Sequence, residues 1–326
     1  MSSLLNQLNA TTEYYWLNTE PQDIVNKASA LLFKLMGNAI DRVNWEVQPH
    51  EVVDGGLMVK VPLEYGTANS GGYGATTIIN QSKQDIVDAA RFGWGGIYGS
   101  NTLNLDDLTQ NTGDEAIIDL TKIYMNAIKK AARVQMASDI ISAAADSTRI
   151  NGLGDLFNTT TSTAYGAIKQ DDMADWKANV ITTAEAISFE VLQKIFRTPA
   201  MGDFKQYKPN FCITTETLRD GYERSLHPQQ RYVESKMVEA GWDNIVHKGA
   251  PICGDAYISS GYFYALNLNF LSLRSHKDYS FTKPVWMAKT VLGQPDVITA
   301  DTRWRGNLYC SNRKMQILHT GLTEPV

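Results

Sequence analysis

Ten of the 24 glycines in this chain fall between Gly55 and Gly99, in a polar segment that leads directly into a helical pattern running from Thr112 to about Asp146. A strand-rich excursion with few anchoring apolar residues loses more chain entropy than it recovers by burying itself. It therefore needs a surface supplied from elsewhere, and another copy of the same chain is the expected supplier. The alternative is a long surface loop folded back on its own domain, although loops of this length without structure of their own are uncommon in compact domains.

Within the excursion, Leu57 to Leu63 (LMVKVPL) alternates as a strand does. Pro62 cannot donate to a central ladder, which places that strand at an edge or in a free-standing hairpin arm. The tip falls within Gly66 to Lys83, and Phe92 to Leu103 (FGWGGIYGSNTL) is expected as the returning strand, its glycines allowing another backbone to approach closely. Thr112 and Glu115 have the spacing of a capping box. From there Ile117, Leu120, Tyr124, Ala127, Ile128, Ala131, Val134 and Ile141 form one face, opposite Asp119, Lys122, Asn126, Lys130 and Arg133. At 1.5 Å per residue such a rod is about 50 Å long.

Composition narrows the function classes. A length of 326 residues with 43% hydrophobic content suits two or three compact units with a real core. A formal net charge of -5 argues against a chain that grips nucleic acid broadly through its phosphates. The N-terminus, MSSLLNQLNATTEYYW, lacks a basic region followed by an apolar one, and no apolar run suits a spanning helix, so a cytosolic origin and no membrane partner are expected. Cys212, Cys253 and Cys310 form neither a paired motif nor a disulfide framework, and buried inert thiols are the expectation.

Residues 1–18 suit an extended arm whose bulky cluster is Tyr14, Tyr15 and Trp16. Pro21 to Met36 has helical spacing and a stop at Gly37. Further on, Ile187 to Phe196 predicts a helix ended by Pro199, Asn210 to Thr214 a buried strand, and Thr217 to about Ser225 a helix. Tyr262 to Leu273 (YFYALNLNFLSL) predicts one strand on a half-buried sheet. Asp296 to Arg305 and Asn307 to His319, flanking Gly306, predict a hairpin.

Several short stretches, in this order, give a resemblance. They are ARFGW (Ala90 to Trp94), NTGDEAIIDL (Asn111 to Leu120), Gly152-Leu153, YGAI (Tyr165 to Ile168), Trp176, KPNFCITTETLRDGYE (Lys208 to Glu223), Gln230-Arg231, KGAPICGD (Lys248 to Asp255) and YFYALNLNFLSL. Together they make the chain resemble bacteriophage major capsid proteins of the HK97-like fold over about residues 20 to 322. One departure is Ala167, where the family's usual stretch has a second glycine. The resemblance implies an α+β fold divided into an N-terminal arm and helix (1–42), an E-loop (43–104), a P-domain with spine helix 112–146 (105–200), an A-domain (201–282) and a C-terminal return to the P-domain (283–326).

The resemblance also implies a chain that self-assembles into hexamers and pentamers of an icosahedral shell around a phage dsDNA genome, in the cytoplasm of a bacterial host. It implies a portal, a separate scaffolding protein because the N-arm leaves little room for a fused one, packaged DNA held loosely, and in some relatives a decoration protein. An encapsulin-like nanocompartment shell shares this architecture, and a homotrimeric tail or receptor-binding module is the alternative from another class. Expected contacts between subunits are Gly71, Gly72, Tyr73 and Lys83 near the tip, Arg91 and Trp94 on the returning strand, Arg303, Trp304 and Arg305 at the C-terminal hairpin, and Tyr14, Tyr15 and Trp16 in the arm. Lys122, Lys129, Lys130 and Arg133 would give the spine a weak DNA-facing strip, the alternative being a solvated helix face. Some members of the family join subunits through a Lys-Asn isopeptide bond; Lys60 and Lys83 lie on the excursion, and nothing marks a matching Asn and Glu.

No enzyme signature competes. Ser225, His227 and Asp243, or His276 and Asp278, supply the letters of a nucleophilic triad without a G-x-S-x-G elbow. Gly93, Gly95, Gly96 and Gly99 miss the dinucleotide spacing because Tyr98 stands where a third glycine is needed. His50, His227, His247, His276 and His319 show no paired ligand spacing, and Asp106-Asp107 and Asp171-Asp172 look like loop or helix-start acids. No catalytic residue, cofactor or metal is expected.

Overall fold

The computed structural model describes residues 29–36, 50–66, 68–74, 78, 81–104, 120–144, 146–199, 207–226, 243–282, 285–288 and 297–325. The arm aromatics Tyr14, Tyr15 and Trp16 and the capping pair Thr112 and Glu115 lie outside them. The first part of the chain forms α1 (Ala30–Met36), β1 (His50–Val53), β2 (Val59–Glu64), β3 (Val87–Phe92), β4 (Gly95–Asn104) and α2 (Leu120–Ile141). Then come α3 (Leu153–Leu156), β5 (Ala164–Tyr165), β6 (Ile168–Lys169), β7 (Asn179–Ile181), β8 (Glu185–Ala186), α4 (Phe189–Arg197), β9 (Phe211–Thr214) and α5 (Glu216–Ser225). The last part supplies β10 (Asn244–His247), β11 (Ala250–Gly254), β12 (Phe263–Leu266), β13 (Leu271–His276), β14 (Val285–Ala288), β15 (Val297–Cys310), β16 (Ile317–His319) and β17 (Leu322–Thr323).

Two sheets organise these elements. In the five-stranded sheet β15 is central: β4 runs antiparallel along Val297–Gly306, while β14 and then β13 pair with its other side, and β1 adds in parallel to β13. The six-stranded sheet has the order β10-β11-β9-β12-β16-β7. It is covered by α4 and α5, whose Val191, Leu192, Ile195, Phe196, Leu218 and Tyr222 form a core with strand residues such as Cys212, Ile252 and Phe263. Both helices begin where an N-cap oxygen accepts an amide three residues on, Ser188 from Val191 and Thr215 from Leu218. Sheet membership crosses the boundary expected at 282/283, since β13 lies in the same sheet as β15 and β16 lies in the other one.

Three expectations are corrected. The run Tyr262 to Leu273 is two strands in two different sheets, β12 and β13. Between them Asn267 exchanges hydrogen bonds with buried Gln316, its amide donating to Oε1 at 2.9 Å and its carbonyl accepting from Nε2 at 3.0 Å. Those two bonds replace the ladder where the chain changes sheets. Secondly, β15 passes straight through Gly306 without a hairpin. A Cβ there would strike the Arg274 carbonyl and the Trp304 ring, so the glycine serves close packing. Thirdly, Phe92 to Leu103 is not the returning strand of the excursion: β3 pairs with β2, and β4 belongs to the five-stranded sheet.

The helix α2 lies against β4. A Cβ on Gly99 would stand 2.5 Å from the Ile128 carbonyl oxygen and 3.2 Å from the Ala132 side chain, so only glycine permits this contact. Ile128, Ala132, Met136 and Ile140 are the buried stripe. Ala127 and Ala131, expected on that face, are exposed. In an alanine-rich helix the apolar stripe can be rotated by one residue with little change in hydrophobicity, and the larger Ile128, Met136 and Ile140 decide it. The helix ends at Ile141, short of Asp146, where buried Asp139 accepts from Arg149 at 2.8 Å and from Gln135 at 2.8 Å. Its described part, 22 residues, is about 33 Å long at 1.5 Å per residue.

Two buried groups show how the interior treats polarity. Arg313 donates to the Leu156, Trp176 and Asn158 carbonyls and lies over the Tyr165 ring at 4.8 Å. Cys212 and Cys310 are free, buried thiols, and burial pushes the pKa of each upward. The β5–β6 hairpin turns through Gly166 and Ala167, at φ of 63° and 64°. Ala167 thus holds a left-handed conformation that costs a non-glycine residue roughly 1–2 kcal/mol. Ala167→Gly is expected to raise stability by about 0.5–1 kcal/mol in chemical denaturation, the greater freedom of glycine in the unfolded chain cancelling part of the gain.

His247 is buried among the rings of Phe189, Phe196 and Tyr222, with Nδ1 2.8 Å from the Tyr222 hydroxyl. Burial, reinforced by Lys248 and Lys208, pulls its pKa down to about 4. The folded state therefore favours neutral imidazole. Its contribution is complete above the unfolded pKa near 6.5 and is lost as pH falls from there toward 4, at about 1.4 kcal/mol per pH unit. Urea midpoints measured across that window should fall in the wild-type chain and fall less in His247→Leu.

Candidate assembly interface

The excursion is a two-stranded ribbon, β2 paired with β3 from Val59↔Phe92 to Glu64↔Val87. Alternation gives it two faces. Val59, Val61 and Leu63 with Ala90 and Phe92 are buried in the chain's own main core, and Phe92 meets Tyr165 edge-on at 5.1 Å. The Arg91 amide also donates to the Gly166 carbonyl at 2.8 Å. This corrects the expectation that the excursion has no surface of its own to lie on. The stretch LMVKVPL carries one apolar side, and that side suffices to seat the paired strands.

The ribbon beyond its paired strands differs. Tyr65 donates its amide to Ile86, and a polar clasp joins Asn69, Ser82 and Gln84. Apolar side chains there stand in water: Tyr73 is 80% exposed and Ile78 96%. Gly71 and Gly72 have open space around them, and Lys83 pairs with Asp85 at 3.5 Å with both side chains exposed. An exposed apolar tip on an extended arm is what an interface element presents before its partner arrives.

The other candidate residues divide. Trp94 is half-buried at the foot of the ribbon, donating Nε1–H to the Gly56 carbonyl at 2.7 Å and meeting His276 edge-on at 5.6 Å. Its contacts fix the ribbon to its own body. Trp304 is enclosed in the chain's own core, so its side chain is not presented to a neighbour. Arg303 and Arg305 project from the same strand to the exposed side, Arg303 pairing with Asp301 and Arg305 lying 5.6 Å from the Tyr279 ring. Tyr98, opposite Arg303 on β4, is 72% exposed, which makes this sheet face a second accessible patch that sequence reading missed. On α2, Lys129, Lys130 and Arg133 are exposed; the Lys122 side chain lies outside the described residues.

Among the described residues the catalytic letters do not assemble. Ser225 donates to the Tyr222 carbonyl at 2.7 Å, and His276 Nδ1 accepts the Asp278 amide at 3.2 Å, both local backbone contacts. His227 lies outside the described residues. Among the described residues no group of three His, Cys, Asp or Glu could hold a metal ion, and no helix is long and apolar enough to cross a membrane.

No known family profile and no curated protein matches this sequence. Solved structures do match in fold. A chain of the cyanophage A-1(L) capsid asymmetric unit superposes with a TM-score of 0.72 at 14% identity, covering 94% of this chain and 95% of that one. The capsid of a native GTA particle gives 0.59 at 13% identity over 94% and 96%. The holo-SrpI encapsulin complex from Synechococcus elongatus PCC 7942 gives 0.59 at 8% identity over 97% and 96%. The chain has the α+β HK97-like capsid fold across nearly its whole length.

Trp94→Ala removes a half-buried ring and the bond to Gly56. It is expected to cost about 2 kcal/mol of stability and to speed proteolytic cleavage between residues 66 and 86, whereas Trp94→Phe should cost about 1 kcal/mol.

Proposed function

We propose that this chain is a major capsid protein that self-assembles into an icosahedral shell around a bacteriophage dsDNA genome, and that it acts structurally, without catalysis. The observation that carries this reading is a ribbon seated on its own body through β2 and β3 while its distal apolar residues remain uncovered. The match in fold to capsid chains along more than nine-tenths of their length supports it. In this reading the five-stranded sheet with α2 is the P-domain, and the six-stranded sheet with α4 and α5 is the A-domain. Gly71, Gly72, Tyr73, Lys83 and Arg91 on the ribbon, and Arg303 and Arg305 on the sheet, face neighbouring subunits. A portal, a scaffolding protein and loosely held DNA are the other partners. Lys129, Lys130 and Arg133 supply a strip compatible with weak, salt-sensitive contact to the packaged phosphates.

The likeness to an encapsulin favours one second reading, a protein-filled nanocompartment of the same fold. Negative-stain microscopy of the purified full chain is expected to show closed isometric particles, and a discrete small oligomer would overturn both shell readings. For particles recovered from their natural source, nucleic-acid absorbance dominating at 260 nm is the result expected of a genome shell. A protein-like spectrum would favour the nanocompartment.

A further inference from the structure

The outer face of the ribbon carries an unfavourable pair. Lys60 on β2 lies directly opposite Arg91 on β3, both exposed, and no described carboxylate lies within ion-pair range of either. Directly opposed positions on one face of an antiparallel pair hold their Cβ atoms about 5 Å apart, close enough for like charges to destabilise the ladder. An isolated ribbon gains nothing from this arrangement. A partner that brings carboxylates to the pair turns the repulsion into attraction, and Arg offers it a bidentate fork.

The same chain carries the reciprocal feature. Asp171 and Asp172 are adjacent, exposed, and without a described cation partner, on the turn that follows β6. They do not pair with Lys60 or Arg91 within one molecule. The β5–β6 hairpin lies against the ribbon's covered face, where a Cβ on Gly166 would stand 2.8 Å from Phe92 and 2.9 Å from Ala90. Lys60 and Arg91 project from the other side. Complementary patches on opposite sides of one layer generate a head-to-tail contact, which closes into a ring when the rotation between copies allows it.

We propose that the Lys60–Arg91 face of the ribbon docks on the Asp171–Asp172 turn of a second copy of this chain, two positive charges meeting two negative ones. The contact rests on the shell reading and names the chemistry of one of its interfaces. It steers encounter and fixes register more than it adds affinity, and its strength falls with salt.

Charge exchange in the full-length chain tests it, with sedimentation and electron microscopy as the readout. Lys60→Glu with Arg91→Glu is expected to abolish the fast-sedimenting particle, and Asp171→Lys with Asp172→Lys to do the same. All four substitutions in one chain should restore most of the wild-type yield. Mixing the two double variants should give mixed oligomers in which the two alternate, seen as co-sedimentation of both variants, a measurement that does not depend on the fourfold variant folding or on closed particles. Normal assembly of the ribbon variant overturns the proposal, as does failure of the mixture when both variants keep the wild-type unfolding temperature. A wild-type chain that forms no particle overturns the shell reading and this contact together; wild-type particles with no rescue in the mixture overturn the contact alone.

Discussion

The seating of α2 on β4 governs the rest of this architecture. It is a contact between backbones: Gly99 lies so near the Ile128 carbonyl that any side chain would hold helix and sheet apart. Because β4 is paired along ten residues of β15, and the helix also touches β15 itself, the helix is positioned against the five-stranded sheet through its two adjacent strands. The ribbon leaves from the start of β4, so its direction is inherited from the same contact. Trp94, at the junction, transfers that rigidity to the first residues of the arm through Gly56 and His276.

A division of labour along the ribbon follows. The paired strands use their single apolar side to attach to the parent subunit, and the outer side and tip remain available. In the proposed shell, an arm attached in this way would reach a neighbour in a defined direction and lose less conformational freedom on docking than a free loop of equal length. Extended arms that overlap adjacent subunits bury more surface than two compact bodies in contact, the geometry of obligate interfaces.

Elements whose information is local are legible in the sequence. The helices α4 and α5 and the strand β9 show period, cap and length within a dozen residues, and the structure has them within one or two residues of the expected bounds. The apolar alternation of β2 and the edge position of Pro62 are equally local. What escapes is information held by partners far away in the chain. The glycines after Phe92 announce a close approach of another backbone without identifying it, because the helix that presses on Gly99 is not visible beside them. Asn267 looks like an interruption in an apolar strand until Gln316, 49 residues on, gives it a reason to mark a change of sheet. Gly306 suggests a turn because glycine more often makes turns than makes room for a tryptophan. Among the candidate contacts, exposed Arg303 and Arg305 and enclosed Trp304 are consecutive letters, separated only by strand alternation in a strand whose course the sequence leaves open.

One junction has a consequence for the order of events during synthesis. Ser29 and the first amides of α1 donate to the carboxylate of Asp255, at 2.6 Å from the Ser29 hydroxyl and across 226 residues of chain. β1 likewise waits for β13, and β4 for β15. A nascent polypeptide emerging from the ribosome therefore exposes its early strands, ribbon included, for most of the time translation takes. The body on which the ribbon is mounted closes only when the last strands arrive, so partial chains lack the frame that aims the arm, and in the proposed shell polymerisation would be confined to finished subunits.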